Sequence, residues 1–492
     1  MKILWILTLG SFAVLGAAAV WMGGLNQDEG WYLYAANLVA EGKVPYRDFF
    51  YTQGPLLPVV YSPFAWVWQT WGMLGARIFT LLIGAVSVIF TAALARRLAP
   101  SDRRNEAALL VLLLLGANLY HVYYLTIPKT YALASLFVSM GFYLLSVALS
   151  SACGVSRAAA AGAGLCLAFA AGTRISLSAL LAMTGLSLLL ARRWKDLFPL
   201  CIGGFAGLAL VYGPCLIDSR TLEGLLAAQR YHTARGGFDP VWTVGSLSRL
   251  VRWYLPTFVV VGLYVFESRR TVANEGCSTR QVLRMLLLGF LAVFAFQMLA
   301  PFPYEDYQVP IIGLLAVFGA VGLVRQESNR ATSLALMTLG MAFACSFGSP
   351  LLEKWATNGQ DRFWSLKKST YELPQLRRAA AKIEAIDPGG KDLLTQDLYL
   401  AIETGRKVPN GLEMGPFSML TDGEWRDLLE SAPCRIAALS GYTFAIKPPE
   451  CAERPLEQQM EYWEILKRRY ELADREDAFG QNATTLLILK RK

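Results

Sequence analysis

The sequence predicts an all-α polytopic transmembrane bundle of about eleven helices, followed by a small α/β extramembrane domain. Of its 492 residues, 54% are hydrophobic and 17% are charged, whereas soluble domains carry about 25% charged residues. Apolar runs of about 20 residues, the length that crosses a membrane, recur from residue 3 to about residue 350. Beyond residue 351 the long apolar runs stop and charged residues become frequent.

The predicted transmembrane domain covers residues 1–350. Its first apolar run, at about residues 3–24, is interpreted as an uncleaved helix. The alternative is a cleaved signal peptide, because residues 17–19 are three alanines that resemble a cleavage site. Further spans are predicted to begin near residues 76, 106, 127, 158, 175, 197, 251, 283, 308 and 331.

The placement of positive charge predicts the orientation. If the N-terminus lies in the cytoplasm, every inside loop is short and positively charged, as cytoplasmic loops of membrane proteins are. These loops carry Arg96, Arg97, Arg103, Arg104, Arg157, Arg192, Arg193, Lys195, Arg269, Arg270, Arg280, Arg284, Arg325 and Arg330. An odd number of spans then places the C-terminal region outside. The net charge of +9 is accounted for by these loops, and no basic stripe interleaved with aromatic residues indicates nucleic-acid binding.

The first outer loop, about residues 25–75, opens with Asp28 and Glu29 directly after the first span. A helix is predicted from about residue 29 to 41, with Gly42 following its last turn. On that helix Asp28 and Tyr32 share one face, whereas Glu29 is turned about 100° away. Asp28 and Glu29 therefore need not have the same role. The alternative interpretation is a solvated helix start, where acidic residues are favourable.

Three other outer segments carry charges that could join this loop. Lys129 ends one outer turn, and its alternative role is to snorkel from a helix end. Arg174 separates two apolar runs, where a cation is costly unless it is paired or functional; phosphate binding and a salt bridge to an outer carboxylate both remain open. Glu305, Asp306 and Tyr307 directly precede an apolar helix. Their alternative role is only to orient the end of that helix.

The predicted C-terminal domain, residues 351–492, mixes strands (393–395, 435–439, 470–473 and 485–489) with helices (424–430 and 455–469). It carries no phosphate loop, metal cluster or nucleophile elbow, and it is interpreted as an accessory or acceptor-binding domain. Cys434 and Cys451 are its two cysteines. If the domain lies in an oxidising compartment they can form a disulfide; the alternative is two free thiols.

The first half of the chain resembles a known family. Asp28-Glu29, then Gly-Lys-Val-Pro-Tyr-Arg-Asp at residues 42–48 and Gln-Gly-Pro at residues 53–55, look like the GT-C superfamily of integral-membrane glycosyltransferases. The nearest branch is the glycosyltransferase family 39-like proteins, which include protein mannosyltransferases and the aminoarabinose transferase of lipid A. The sequence departs from that pattern at residues 305–307, where relatives often carry His or Arg beside Tyr.

The resemblance implies transfer of a sugar from a polyprenyl-phosphate donor to an acceptor hydroxyl, outside a bacterial inner membrane. The acceptor would be a glycan, a lipid or a protein. Asp28 would be the general base and Glu29 would orient it or the acceptor. The metal requirement stays open, because members differ in it, and magnesium or manganese would take oxygen ligands. The remaining site residues are implied as Arg174, Lys129 and Arg47 for the donor phosphate, and Glu305, Asp306, Tyr307 and Tyr32 near the acceptor or a metal.

Three other functions compete with this interpretation. A transporter or flippase of a lipid-linked sugar would also have many helices, but such proteins place charges at mid-membrane and show repeated halves. A non-catalytic protein of envelope glycan assembly would bind through its C-terminal domain. A glycan ligase or polymerase would use a lipid-diphosphate glycan. Replacing Asp28 with Asn separates the transferase from the non-catalytic protein, which would keep working, whereas the transferase would stop.

Overall fold

The computed structural model describes residues 2–150, 153–234, 236–268, 277–325, 371–441, 446–447 and 452–492. The helices of its N-terminal part are α1 (Lys2–Met22), α2 (Gln27–Ala40), α3 (Leu56–Tyr61), α4 (Ala65–Leu98), α5 (Arg104–Gly116), α6 (Leu119–Thr126), α7 (Thr130–Ser150), α8 (Cys153–Thr173), α9 (Ser178–Leu190), α10 (Trp194–Ile217), α11 (Ser219–Ala234), α12 (Pro240–Trp253), α13 (Leu255–Ser268), α14 (Cys277–Met298) and α15 (Val309–Val324).

The predicted bundle of apolar helices is confirmed, and the described residues contain fewer candidate spans than the eleven predicted for the whole chain. Within the described residues, six helices are long and apolar enough to cross a membrane, or up to eight if each of two bent helix pairs is one span. Two features contribute to the difference from about eleven. The span predicted near residue 331 lies outside the described residues, and α9 has only 13 residues, fewer than the ~20 that cross the hydrocarbon.

Two sharp bends shape the end of the bundle that carries the candidate site. Helices α5 and α6 meet at 73°, and α12 meets α13 at 82°. Asn118 caps α6, because its side-chain oxygen accepts the backbone N–H of His121 at 3.1 Å. The short α6 then leads directly to Lys129 and the start of α7. Lys129 therefore lies at the N-terminal end of α7, where it meets Asp28 and Asp306 from other segments of the chain.

The C-terminal part contains four helices and two small sheets among its described residues. Its helices are α16 (Glu372–Ile386), α17 (Leu398–Thr404), α18 (Asp422–Ser431) and α19 (Leu456–Arg469), and its strands are β1 (Ile436–Ser440), β2 (Ile446–Lys447), β3 (Ala452–Glu453), β4 (Tyr470–Phe479) and β5 (Thr484–Arg491). The main sheet has the order β1-β5-β4 and is antiparallel throughout. The hairpin and the two helices predicted here are present, whereas α16 and α17 are not among the predicted elements.

Among the described residues, the hydrophobic interior has two large clusters. The first lies between the apolar helices, around α7 and α15. The second joins the first outer loop to the C-terminal part: α2 contributes Trp31 and Tyr34, and α17 contributes Leu398 and Tyr399. The first outer loop therefore shares its core with the end of the chain, and this packing fixes α2 in place.

The predicted disulfide stays a prediction. Cys434 is buried. Its predicted partner, Cys451, lies outside the described residues.

Candidate active site

Helix α2 presents two carboxylates in its first turn, and a capping box fixes its start. The Asn26 side chain accepts the N–H of Asp28 at 3.0 Å, and the Glu29 side chain accepts the N–H of Asn26 at 2.9 Å. Such reciprocal bonds satisfy backbone donors that the helix itself leaves open. Gly42, at φ +86°, lies just beyond the helix end, where a left-handed residue commonly closes a helix.

Asp28 faces a lysine from the turn between α6 and α7. Its Oδ2 lies 2.8 Å from Nζ of Lys129, and its Oδ1 accepts the Nε1–H of Trp31 at 3.1 Å. The Asp28 side chain remains 28% exposed, whereas that of Lys129 is 7% exposed. A carboxylate held in one orientation but still accessible is what a general base requires.

Lys129 also contacts a second carboxylate, from the segment before α15. Its Nζ lies 3.4 Å from Oδ2 of Asp306, which also accepts the hydroxyl of Tyr131 at 2.7 Å. Burial lowers the pKa of the Lys129 ammonium, but the charge of Asp28, followed by Tyr131, raises it by more, so the net shift is upward. The ammonium therefore stays protonated between the two carboxylates at neutral pH.

Arg174 lies beside this cluster and is held by aromatic rings. Its guanidinium carbon is 4.5 Å from the ring centroid of Tyr307 and 5.0 Å from that of Tyr131. Its Nη1 donates to the hydroxyl of Thr130 at 3.2 Å. Cation–π contacts of this kind position a guanidinium while leaving its other donors available to an anion.

Tyr32 completes the group on the α2 side. Its ring stacks on Trp31 at a centroid distance of 3.7 Å, and it is almost fully buried. Burial, followed by the charge of Asp28, raises the pKa of Tyr32 well above that of a free phenol. The phenol therefore stays neutral beside the charged cluster. The structure thus brings together six of the predicted site residues: Asp28, Tyr32, Lys129, Arg174, Asp306 and Tyr307.

Glu29 lies apart from this group, in a buried ion pair. Its two oxygens accept Nη2–H and Nε–H of Arg77 at 2.7 and 2.8 Å, and both side chains are 0% exposed. Arg77 also donates to the backbone carbonyls of Val20, Gly23 and Gly24. The pair ties the end of α1, the start of α2 and α4 together. Its contacts are those of an anchor for α2, not of a group that reaches a substrate.

Two other predicted residues also have separate partners. Glu305 pairs with Arg249, whose Nε lies 3.0 Å from its Oε2. Arg47 pairs with its neighbour Asp48 at 2.9 Å, and its side chain is 42% exposed. Glu305 and Asp306 therefore face different cations, although they are adjacent in sequence. Among the described residues, no three His, Cys, Asp or Glu side chains are grouped to hold a metal.

The sequence interpretation missed three contributors to the cluster and its support: Thr130, Tyr131 and Arg77. Thr130 and Tyr131 belong to the first turn of α7, where hydroxyl and aromatic residues carry no distinctive pattern. The position of Arg77 in the sequence, in contrast, does indicate a structural role. A lone arginine near the start of a long apolar run is costly in a membrane unless it is paired, and that cost predicts a buried carboxylate partner.

No protein-family model matches the sequence, and neither does any curated protein. The fold, however, matches solved structures along almost the whole chain. ArnT from Cupriavidus metallidurans bound to undecaprenyl phosphate aligns with a TM-score of 0.66 at 13% sequence identity, covering 98% of this chain and 97% of that one. The apo state of the same enzyme gives a TM-score of 0.65.

A second enzyme is similar over the same length of this chain. The Archaeoglobus fulgidus oligosaccharyltransferase, tethered to an acceptor peptide with an NVT sequon, aligns with a TM-score of 0.50 at 12% identity, covering 97% of this chain and 74% of that one. The GT-C fold implied by the sequence resemblance is therefore confirmed, because the fold is similar to that of ArnT along almost the whole chain, including the C-terminal part.

Proposed function

We propose that the chain is an integral-membrane glycosyltransferase that moves a sugar from a polyprenyl-phosphate-linked donor to an acceptor hydroxyl. One observation carries the proposal: Asp28, Lys129, Arg174 and Asp306, from four separate segments of the chain, meet at one end of the helices. Buried charges are rare in membrane proteins and mark functional sites. The ArnT fold supports a lipid-phosphate donor.

The reaction divides into two tasks that the cluster is equipped to perform. Asp28 accepts the proton of the acceptor hydroxyl as its oxygen attacks the anomeric carbon. The bond from that carbon to the phosphate oxygen breaks, and the lipid phosphate leaves with the bonding electrons. Lys129 and Arg174 then face the negative charge that develops on the phosphate. A single displacement of this kind inverts the configuration at the anomeric carbon.

The side of the membrane follows from the loop charges. The site lies at the helix ends opposite the arginine-rich connections, such as Arg96 and Arg97 at the end of α4. Because such connections face the cytoplasm, the proposal places the site and the C-terminal domain, residues 351–492, on the extracytoplasmic side, in a bacterial inner membrane. The catalytic domain is then residues 1–350, with the lipid chain of the donor lying against its helices.

The direct test is sugar transfer by the purified protein in lipid vesicles. A panel of polyprenyl-phosphate sugars is supplied with glycan, lipid and peptide acceptors, and products are identified by mass spectrometry. Transfer from a lipid-monophosphate sugar supports the proposal and identifies the sugar and acceptor. Transfer only from a lipid-diphosphate glycan would replace it with a ligase. Transport of the lipid-linked sugar without transfer would replace it with a flippase.

Arg174→Met is expected to weaken donor binding. A hydrogen bond to a charged group contributes about 1.5–3 kcal/mol, so the dissociation constant for a polyprenyl phosphate should rise roughly 10- to 150-fold. Binding is measured by titrating the lipid phosphate into protein in nanodiscs. Arg47→Met is the comparison, because Arg47 is also a predicted phosphate residue but pairs with Asp48 at the surface. An equal loss of affinity for the lipid phosphate in both variants would indicate that Arg47 also binds the donor phosphate.

Chelation tests the part played by a divalent cation. Lys129 and Arg174 already supply two fixed positive charges beside Asp28 and Asp306, so we expect transfer to persist in excess EDTA. Loss of transfer that magnesium or manganese restores would contradict this expectation. Asp306 or Glu305 would then be the first ligand to substitute.

A further inference from the structure

The C-terminal part of the chain holds the backbone on the N-terminal side of Asp28. The N–H of Leu25 donates to a carboxylate oxygen of Glu372, on α16. The N–H of Gln27 donates to Oε1 of Gln481 at 2.7 Å. Gln481 lies in the turn between β4 and β5. Two side chains from the C-terminal part thus fix Leu25, which lies just before α2, and Gln27, which is its first residue.

The Gln27 side chain enters a buried polar network of the same region. Its Nε2–H donates to Oδ1 of Asp397 at 2.8 Å, and the hydroxyl of Tyr399 donates to the same oxygen at 2.9 Å. Gln27 is 5% exposed and Asp397 is 0% exposed. A buried carboxylate that loses a donor incurs the full cost of desolvation, so this network resists displacement of Gln27.

Backbone packing on the C-terminal side of Asp28 is equally tight. A Cβ atom placed on Gly30 would lie 2.2 Å from the backbone nitrogen of Tyr399 and 2.6 Å from the carbonyl carbon of Leu398. Only glycine therefore lets α2 approach α17 this closely. The residues on both sides of Asp28 are thus held by the C-terminal part, through contacts such as those of Leu25 and Gln27, which span 347 and 454 positions of the chain.

We propose that the C-terminal part is a positioning element for Asp28, and that Gln27 and Gln481 are its positioning residues. The inference rests on the proposed function and goes beyond it, because it gives the C-terminal part a role in the transfer step itself. Neither glutamine touches the reacting atoms. Each fixes the start of α2, and displacing a catalytic group by about 1 Å can lower a rate by about 100-fold.

The test compares three substitutions of similar size. Gln481→Met removes the acceptor for the Gln27 N–H, whereas Gln481→Glu keeps an acceptor oxygen at the same position. Gln459→Met is the matched control, because it removes a single glutamine hydrogen bond, to the Arg454 carbonyl, elsewhere in the same region. All three are measured as full-length protein in lipid vesicles, beside the wild type and Asp28→Asn.

We expect Gln481→Met to lower kcat by about 10- to 100-fold while the donor KM changes less than about twofold, because the phosphate-facing cations are untouched. Gln481→Glu should recover most of the rate, and Gln459→Met should match the wild type. Equal rates in the Met and Glu variants, or a change in KM alone, would overturn the inference. If Asp28→Asn abolishes transfer but Gln481→Met does not, the inference fails and the proposed function stands.

A second measurement does not depend on transfer activity. Hydrogen–deuterium exchange of peptides covering residues 25–35 reports how firmly the first turns of α2 are held. Exchange should rise in Gln481→Met but not in Gln481→Glu or Gln459→Met. Unchanged exchange in all three variants would overturn the positioning role, even if the wild type transferred no sugar from any donor.

Discussion

Asp28→Asn is expected to reduce sugar transfer by about 100- to 10,000-fold, the range that a general base contributes. The amide cannot take the acceptor proton, but it keeps an oxygen that can accept Nε1–H of Trp31, the bond that Asp28 now receives at 3.1 Å. Lys129 also keeps Asp306 as a partner. The variant should therefore fold and bind the lipid phosphate. Initial rates at saturating donor, together with lipid-phosphate titrations, measure both properties.

Asp48→Asn is the matched control, because Asp48 is an acid of the same outer loop that pairs with Arg47 at the surface. Its rate should equal that of the wild type. If Asp28→Asn transfers sugar at the normal rate, the base has been assigned to the wrong carboxylate. Asp306, which shares Lys129 with Asp28, would be substituted next, and Glu305 after it.

Arg77→Met is expected to produce the largest loss of stability. It leaves the Glu29 carboxylate fully buried without its bidentate partner, and breaking a buried ion pair in this way costs about 3–5 kcal/mol. It also removes the guanidinium that donates hydrogen bonds to three backbone carbonyls at the junction of α1 and α2. The expected result is a marked fall in the thermal unfolding midpoint in detergent, with a low yield of folded protein.

Two companion variants decide whether the ion pair is the cause. Arg426→Met breaks the exposed pair with Glu461 and should leave the unfolding midpoint nearly unchanged, because surface pairs contribute little. Glu29→Leu combined with Arg77→Met removes both charges, so it should be more stable than Arg77→Met alone. If the double variant is as unstable as the single one, the carbonyl contacts of Arg77 matter more than its charge.

Much of the bundle was predictable because membrane crossing imposes a strong pattern on the sequence. Long apolar runs and arginine-rich loops predict that Asp28, Lys129, Arg174 and Asp306 lie on one side of the membrane. Their pairing was not predictable. It depends on the 73° bend before Lys129 and on helix tilts that no residue pattern encodes. The sequence also could not show that the adjacent residues Glu305 and Asp306 pair with different cations.

The C-terminal part was predictable in its elements but not in its contacts. The hairpin of β4 and β5 and the helices α18 and α19 agree with local sequence patterns. Gln27 and Asp397, however, are 370 positions apart, and nothing in either local sequence predicts that they meet. The interpretation as an accessory or acceptor-binding domain did not predict the core that this region shares with α2.

The shared core also sets an order of assembly during synthesis. Helix α2 leaves the ribosome well before its packing partner α17, which follows about 370 residues later. At 5–20 residues per second this is a delay of roughly 20 to 70 seconds. Throughout that interval the apolar face of α2 that later covers Leu398 and Tyr399 has no permanent cover. A nascent chain that stops before residue 398 therefore lacks the residues that cover this face of α2.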